Sequence, residues 1–177
     1  MARISLIQEQ DHPEFAELVE RFRAGRRGRM INIYRMLLNS PPLAESWFNH
    51  SNAVRWRTTL EGRLREIVIV RMGHLTGCDY VLRQHVPSLA LADGLTIEEC
   101  GALADWQGTK FFDTRERAVL TYADMITRNI AVPDEVFAAV KRHFNDRELV
   151  ELTVLIGTYN MNARVLRALE LDLEPQA

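Results

Sequence analysis

Glu66, Cys78 and His85 are the residues of this sequence whose types and spacing could do chemistry. Gly77 separates two helical segments and suits the left-handed conformation that ends a helix. Cys78 then begins the second helix, where unpaired amides and the positive end of the helix dipole favour the reactive thiolate. The carboxylate of Asp79 acts in the opposite direction, so the sequence leaves open which way the pKa of Cys78 moves.

His85 follows Cys78 by seven residues, which is about two helical turns and a rise of ~10.5 Å. We therefore expect the two side chains to lie on one face, on either side of a groove whose floor is Val81 and Leu82. In an antiparallel hairpin Glu66 approaches His85. A hydrogen bond between them would fix the imidazole tautomer and raise its basicity.

Glu66 lies among apolar neighbours, so its carboxylate needs a partner, and Arg65, Arg71 or His85 could supply one. A metal site is a further possibility, because carboxylate and imidazole groups are metal ligands. The spacing of Glu66, His74 and His85 matches no known ligand pattern, however. The sequence therefore predicts no metal and no cofactor.

These residues also have ordinary structural explanations. A free cysteine is usually inert packing, and this is the interpretation for Cys100, in the first turn of a later helix. A single histidine on a helix is usually a hydrogen-bonding residue. His74 lies four residues before Cys78 and is a secondary candidate to lie near its thiol. It is the combination of Cys78, His85 and Glu66 around one turn that favours a functional site.

Four further residues are candidates to line a binding pocket with His74: Trp47, Tyr80, Tyr159 and Asn160. Asn160 is a polar residue in a largely apolar helix and therefore needs a partner. The alternative for Asn160 is a hydrogen bond between helices.

Five arginines fall between Arg21 and Arg29. This stretch is either a solvated loop or subunit contact, or an anion-binding patch, since arginine forks match phosphate and carboxylate.

Helical periodicity and short connections predict an all-α bundle of antiparallel hairpins in which residues 1–177 form one domain. The expected helices are 12–24, 41–54, 60–75, 78–92, 97–106, 114–128, 134–143 and 146–169. Ser40 before Pro41 is typical of a helix cap followed by a first-turn proline. Three capping boxes are predicted, at Thr96 with Glu99, Asp113 with Glu116, and Asn145 with Glu148.

The composition is that of a globular protein, with 47% hydrophobic residues and a net charge of −2. This charge argues against nucleic acid as a partner. The longest apolar run is too short to span a bilayer, and the N-terminal residues do not resemble a signal peptide. Two cysteines in a chain of this size fit the reducing cytosol. We therefore expect a cytoplasmic protein with neither a nucleic-acid nor a membrane partner.

Four segments around the turn resemble the carboxymuconolactone decarboxylase family, specifically its alkylhydroperoxidase D-like branch: Arg65–Arg71, His74–Tyr80, Gln84–Pro87 and Ala92–Thr96. The similarity extends from Ser40 to Leu169. It implies an all-α, alkylhydroperoxidase D-like fold and a homo-oligomer, commonly a trimer or hexamer.

The peroxidase-like members of that family use a glutamate, a Cys-x-x-Cys pair and a histidine to reduce hydroperoxides. In this comparison Glu66 and His85 match the proton relay and Cys78 matches the first cysteine. Val81 stands at the second cysteine position, so a disulfide at this hairpin is impossible. Many relatives carry Glu and Trp at the positions of Val81 and Leu82, and this chain departs from that pattern too.

Three hypotheses follow. The favoured one is an antioxidant, peroxidase-like oxidoreductase in which Cys78 attacks a hydroperoxide, Glu66 and His85 move the proton, and a thiol reductant resolves the sulfenic acid. The second is a lyase or isomerase that binds a small organic acid, with His85 as the base and an arginine on the carboxylate. The third is a non-enzymatic helical oligomer that binds a ligand or partner through a decayed site.

Overall fold

The computed structural model describes residues 2–175, and this part of the chain contains α-helices but no β-strand. The helices, numbered in chain order, are α1 Ala16–Ala24, α2 Asn32–Leu37, α3 Pro41–Trp56, α4 Gly62–Thr76, α5 Asp79–His85, α6 Ile97–Ala102, α7 Thr114–Asn129, α8 Asp134–Lys141 and α9 Asp146–Ala168. The predicted all-α fold is confirmed. No helix within 2–175 has the length and apolar character needed to cross a bilayer.

Helix α4 is the central element of the bundle, and every residue from Leu64 to Gly73 is buried. It packs against α9, α5 and α7, and against the short helical stretches Val86–Ala90 and Leu103–Gly108. A large apolar cluster covers one side, and a smaller one, which contains the buried Cys100, covers the other. Three charged residues of α4 are therefore inside the protein and need partners: Arg65, Glu66 and Arg71.

Arg71 finds its partner on α7. Its Nε and Nη2 donate to the two carboxylate oxygens of Asp124, each at 2.7 Å. Its Nη1 donates to the carbonyl oxygens of Leu103 and Ala104 at 2.8 and 2.9 Å. The prediction that Arg71 could pair with Glu66 was therefore wrong, because its guanidinium is fully used on the opposite side of α4.

The helix starts follow from local chemistry. All three predicted capping boxes are present, with the side chain of each cap residue bonded to the amide of the glutamate three residues later. Pro41 begins α3 as predicted, but the Ser40 side chain makes no cap hydrogen bond. The Ser40 carbonyl instead accepts from the amides of Leu43 and Ala44.

Gly77 joins α4 to α5 in the left-handed conformation predicted for it, with φ 60° and ψ 34°. A second constraint comes from α9, because Arg167 Nη1 donates to the carbonyl oxygens of Thr76 and Gly77 at 2.6 and 3.0 Å. A Cβ atom on Gly77 would lie 2.5 Å from that nitrogen. The turn therefore requires glycine for both its backbone and its space.

The observed helices differ from the predicted ones in four places. The predicted helix 97–106 is α6 followed by a 3₁₀ stretch, Leu103–Gly108. Helix α1 begins at Ala16 rather than residue 12, after two short 3₁₀ turns. The predicted helix 78–92 is α5 followed by a π-helical stretch, Val86–Ala90, in which Pro87 lacks the amide for an α-helical bond. Helix α2 was missed, because six residues are too few to show a period.

Candidate active site

Glu66 and His85 form a buried pair between α4 and α5. His85 Nδ1 lies 2.7 Å from Glu66 Oε2, so the predicted hydrogen bond is present. Glu66 is completely buried, and His85 is 5% exposed. The close approach of the two helices at Gly73, against Leu82, lets the hairpin bring these side chains together.

Tyr159 on α9 extends this pair. Its hydroxyl lies 3.2 Å from His85 Nε2, and the two rings meet edge to face. An ionised Glu66 only accepts, so His85 Nδ1–H donates to it and Nε2 accepts from the Tyr159 hydroxyl. Burial raises the pKa of Tyr159, which keeps the phenol protonated. The three groups therefore form a continuous chain for proton movement.

Two arginines surround the free oxygen of Glu66. Arg55 Nη2 lies 3.6 Å and Arg65 Nε lies 4.0 Å from Glu66 Oε1, and Arg65 also binds Asp93 at 2.7 Å. Burial by itself raises the pKa of Glu66, but the charge and hydrogen bond of His85 and these two arginines outweigh it. The net effect lowers the pKa of Glu66, so the carboxylate is ionised.

His85 is held neutral. Burial lowers the pKa of His85, and the attraction of Glu66 opposes this without reversing it. Arg55 and Arg65 act in the same direction as burial, because a second positive charge beside them is unfavourable. His85 therefore presents an unprotonated Nε2, the form that can take a proton.

We expect the stability of the protein to depend on pH through His85. Its pKa in the folded state lies below the ordinary 6.5, so between those two values the unfolded chain binds a proton that the folded protein does not. The free energy of unfolding should therefore fall as the pH drops from about 7 toward 5, before most carboxylates titrate. Urea unfolding at a series of pH values measures this slope.

His85→Asn should flatten this part of the profile, because asparagine does not titrate. His143→Asn, a replacement at an exposed position, is the matched control and should keep the wild-type slope. Equal slopes in all three proteins would show that His85 does not take up its proton differently on unfolding.

His85 and Tyr159 open onto a cavity of about 210 Å³, called here the His85 cavity. Trp47 and Tyr80, two of the candidates to line a binding pocket, also line this cavity. Asn160 does not: its Nδ2 donates to Thr127 Oγ1 at 2.8 Å, which is the bond between helices given as the alternative. His74 lies elsewhere, since its Nε2–H donates to the Cys100 carbonyl at 2.9 Å.

The arginine-rich stretch divides between two roles. Arg26, Arg27 and Arg29 line the His85 cavity, whereas Arg21 and Arg23 form ion pairs with glutamates at the surface. The cavity wall contains four arginines, with Arg55 as the fourth, and no carboxylate among the described residues. Arg26, Arg27 and Arg29 are therefore the arginines of this stretch to which the anion-binding hypothesis can refer.

Cys78 faces a different cavity, of about 330 Å³, called here the Cys78 cavity. Tyr80 and Leu166 line both cavities and separate them. The predicted groove between Cys78 and His85 was therefore wrong. Cys78 is the N-cap residue of α5, with φ −92° and ψ 88°, so its side chain does not follow the angular progression of the helix.

The thiol of Cys78 is not activated by its position. Burial raises its pKa, and the amides of Val81 and Tyr80 and the charge of Arg167 lower it by less. Only 2% of Cys78 is exposed. The amides at the N-terminus of α5 lower the pKa of Cys78, as expected, but desolvation of the sulfur raises that pKa by more. Cys78 is therefore a thiol at neutral pH.

Sequence reasoning missed several polar residues of the His85 cavity, among them Arg55 at the end of α3 and Asn162 on α9. Each is 9% exposed. The only local signal is a polar side chain inside an otherwise apolar helical turn, as for Arg55 between Val54 and Trp56. That signal does not tell which other helix the side chain meets.

The chain is similar to several known proteins. Residues 41–125, which include Glu66, Cys78 and His85, match the model of the carboxymuconolactone decarboxylase family. The uncharacterised protein YnjA of Escherichia coli is 29% identical over 122 residues, 68% of this chain and 66% of YnjA. The uncharacterised protein YdfG of Bacillus subtilis is 26% identical over 111 residues, 62% of this chain and 75% of YdfG.

Solved structures share the fold. A protein of unknown function from Agrobacterium tumefaciens, described as a candidate AhpD antioxidant defence protein, is 25% identical with a TM-score of 0.72, covering 80% of this chain and 97% of its own. An alkylhydroperoxidase AhpD core protein from Ralstonia eutropha has a TM-score of 0.83 and 16% sequence identity, and the match covers 98% of this chain and 92% of the other. The debrominase Bmp8 with 2,3,4-tribromopyrrole bound has a TM-score of 0.80 and 17% sequence identity, and the match covers 97% of this chain and 91% of the other. Residues 41–125 therefore carry the sequence pattern of the carboxymuconolactone decarboxylase family, and the chain has an alkylhydroperoxidase D-like fold.

Proposed function

We propose that the chain is an enzyme that moves a proton on a small organic acid bound in the His85 cavity, in a decarboxylation or isomerisation. The observation that carries this proposal is the chain of hydrogen bonds from Glu66 through His85 to Tyr159, which ends at the cavity. The family name is that of a decarboxylase, while the solved neighbours include a debrominase and peroxidase-related proteins, so the fold itself does not select the reaction.

His85 acts as the base in this proposal. In an isomerisation its Nε2 takes a proton from a substrate carbon next to a carbonyl or carboxyl group, directly or through the Tyr159 hydroxyl, and returns it to another carbon. In a decarboxylation the bond to the carboxylate breaks, CO₂ leaves, and the carbanion takes a proton that His85 and Tyr159 relay from water. The neighbouring Glu66 carboxylate stabilises the imidazolium that forms, because it is ionised and 2.7 Å from Nδ1. Glu66 also orients the His85 ring, which is the role of the third group in a site built on a general base.

The cavity supports a small substrate. A volume of about 210 Å³ accommodates a compact molecule, and aromatic side chains such as Trp47 and Tyr80 provide apolar walls. Arg26, Arg27, Arg29 and Arg55 give the wall a positive charge. An organic acid has the two properties that these walls select, an apolar body and a negative charge.

The experiment is deuterium exchange. The protein is incubated in D₂O with a panel of small carboxylic acids that carry an acidified C–H bond, and ¹H NMR follows the loss of the proton signal or the formation of a product. Protein-dependent exchange or conversion of at least one acid is the expected result. Exchange that equals the protein-free rate for every acid in the panel would contradict the proposal.

The second candidate function is the thiol-dependent reduction of hydroperoxides by Cys78, with a thiol reductant as co-substrate. The Cys78 cavity favours it, because a pocket of about 330 Å³ reaches the cysteine. The similarity to the Agrobacterium protein points in the same direction. The acid–base pair of this reaction would have to act across the wall formed by Tyr80 and Leu166, which is why we rank it second.

We expect Cys78 to react slowly with hydrogen peroxide, no faster than Cys100. Both thiols are 2% exposed and burial raises the pKa of both, so neither supplies much thiolate. Peptide mass spectrometry after a timed exposure to peroxide, with sulfenic acid trapped by dimedone, measures the two rates in one chain. Rapid labelling of Cys78 while Cys100 stays reduced would make the peroxidase the better function.

We also propose that the protein assembles as a homo-oligomer, a trimer or hexamer, and works in the cytoplasm. Several large apolar side chains on its surface support an interface. Those at least half exposed are Leu43, Trp56, Ile97, Phe111, Ile130 and Val150. Single exposed apolar residues are common, so the number of subunits must come from light scattering on the purified protein.

A further inference from the structure

Two polar side chains in the wall of the His85 cavity have buried atoms without hydrogen-bond partners. Arg55 Nε and Nη2 make no hydrogen bond, and neither does Asn162 Oδ1. The side chain of Arg55 is 10% exposed, and Asn162 as a whole is 9% exposed. Water does not reach these atoms freely, and buried donors and acceptors are normally paired. Their position in the cavity wall indicates that a ligand supplies the missing partners.

The open atoms of Arg55 have a specific geometry. Nε and Nη2 lie on the same edge of the guanidinium plane, with parallel N–H bonds that match the two oxygens of a carboxylate. Arg71 in the same protein shows this use, because its Nε and Nη2 hold the two oxygens of Asp124 at 2.7 Å each. Arg55 presents the same edge, and no carboxylate of residues 2–175 lies within hydrogen-bond distance of it.

Glu66 does not fill this place. Its Oε1 lies 3.6 Å from Arg55 Nη2, beyond hydrogen-bond distance, and is itself without a hydrogen bond. Its other oxygen is taken by His85 Nδ1. Since Arg26, Arg27 and Arg29 also line the cavity and no carboxylate does, the wall has an excess of positive charge.

We propose that Arg55 is the carboxylate-binding residue of this cavity and that its ligand is a small monocarboxylic acid held by the Nε–Nη2 edge of the guanidinium. This inference rests on the proposed function only in taking the His85 cavity as the substrate site. The Arg55 guanidinium stacks on the Trp56 ring, with its carbon 4.5 Å from the ring centre. This contact holds the Nε–Nη2 edge of the guanidinium in a fixed orientation. The carboxylate then lies in the same cavity as His85 Nε2, which places the rest of the acid beside the base.

Binding is tested with benzoate and with benzamide, which has the same shape and no charge, by titration calorimetry on the full chain. Benzoate should bind at least tenfold more tightly than benzamide. Arg55→Met should weaken benzoate binding by tenfold or more, and Arg55→Lys should also weaken it, since lysine keeps the charge and loses the planar edge. Arg147→Met, an exposed arginine on α9, is the matched control and should bind as the wild type does.

Equal binding of benzoate and benzamide, no binding of benzoate, or unchanged binding by both Arg55 variants would overturn the inference. If Arg55→Met fails to fold, the Arg55→Lys result decides. The proposed function fails separately: benzoate binding that needs Arg55, in a protein that exchanges no acid in D₂O, would keep this site and remove the proton-transfer reaction.

Discussion

Replacing His85 by asparagine should lower the rate of deuterium exchange by about 10²–10⁴-fold, the range that a positioned general base contributes. Asparagine is similar in size and can still donate to Glu66 from its amide, but it has no lone pair that takes a proton near neutral pH. The measurement is the initial exchange rate of the best acid from the panel, at saturating concentration. Circular dichroism and benzoate binding show whether the variant is folded and still holds an acid.

Cys78→Ala is the decisive companion to this variant. It should leave the exchange rate within about twofold of the wild type, because Cys78 faces the other cavity. Loss of exchange in Cys78→Ala, with His85→Asn active, would reverse the assignment and place the chemistry at the thiol. Tyr159→Phe separates two pathways: a loss similar to that of His85→Asn indicates that the proton passes through the phenol.

The largest effect on stability should come from Arg71→Met. Arg71 is 2% exposed and holds Asp124 through two hydrogen bonds. Its removal leaves a buried carboxylate with much weaker contacts, the Trp106 indole at 3.4 Å and Arg128 at 3.9 Å. Breaking one side of such a pair costs about 3–5 kcal/mol of unfolding free energy. Urea denaturation followed by circular dichroism measures the loss.

The double variant Arg71→Met with Asp124→Leu should recover much of this loss, because two apolar side chains no longer leave a buried charge unpaired. Arg147→Ala, which breaks the exposed pair of Arg147 with Glu151, is the surface control and should cost about 0.5 kcal/mol or less. A cost for Arg71→Met as small as that of the surface control would show that the buried pair is not needed for stability.

The sequence was sufficient for features that depend on neighbouring residues. The three capping boxes each involve residues three apart, and Gly77 is required by its own backbone conformation. The Glu66–His85 bond was also predictable, because a short turn between two helices fixes which residues face each other across the hairpin. In each of these interactions the two residues are close in sequence, so their relative position follows from the geometry of the helix or the turn.

The rest of the site depends on helices that are distant in sequence. Arg55 comes from α3 and Tyr159 from α9, and no local pattern states that both reach His85. The orientation of Cys78 was predicted wrongly because a helical angle was applied to a residue outside the helix. Asn160 and Asn162 are two residues apart on α9, about 200° around the helix axis, so they lie on opposite faces and only Asn162 lines the cavity.

The wall between the two cavities has a consequence for how this scaffold can change its chemistry. Tyr80 and Leu166 alone are common to both cavities, and Tyr80 is tied at its hydroxyl to Glu174 and to the Ile33 amide. Leu166 has no such ties, so a smaller side chain there would open a passage from the thiol toward the imidazole without breaking a hydrogen bond. One substitution would thus be enough to let the Cys78 thiol and the His85 imidazole share a chamber.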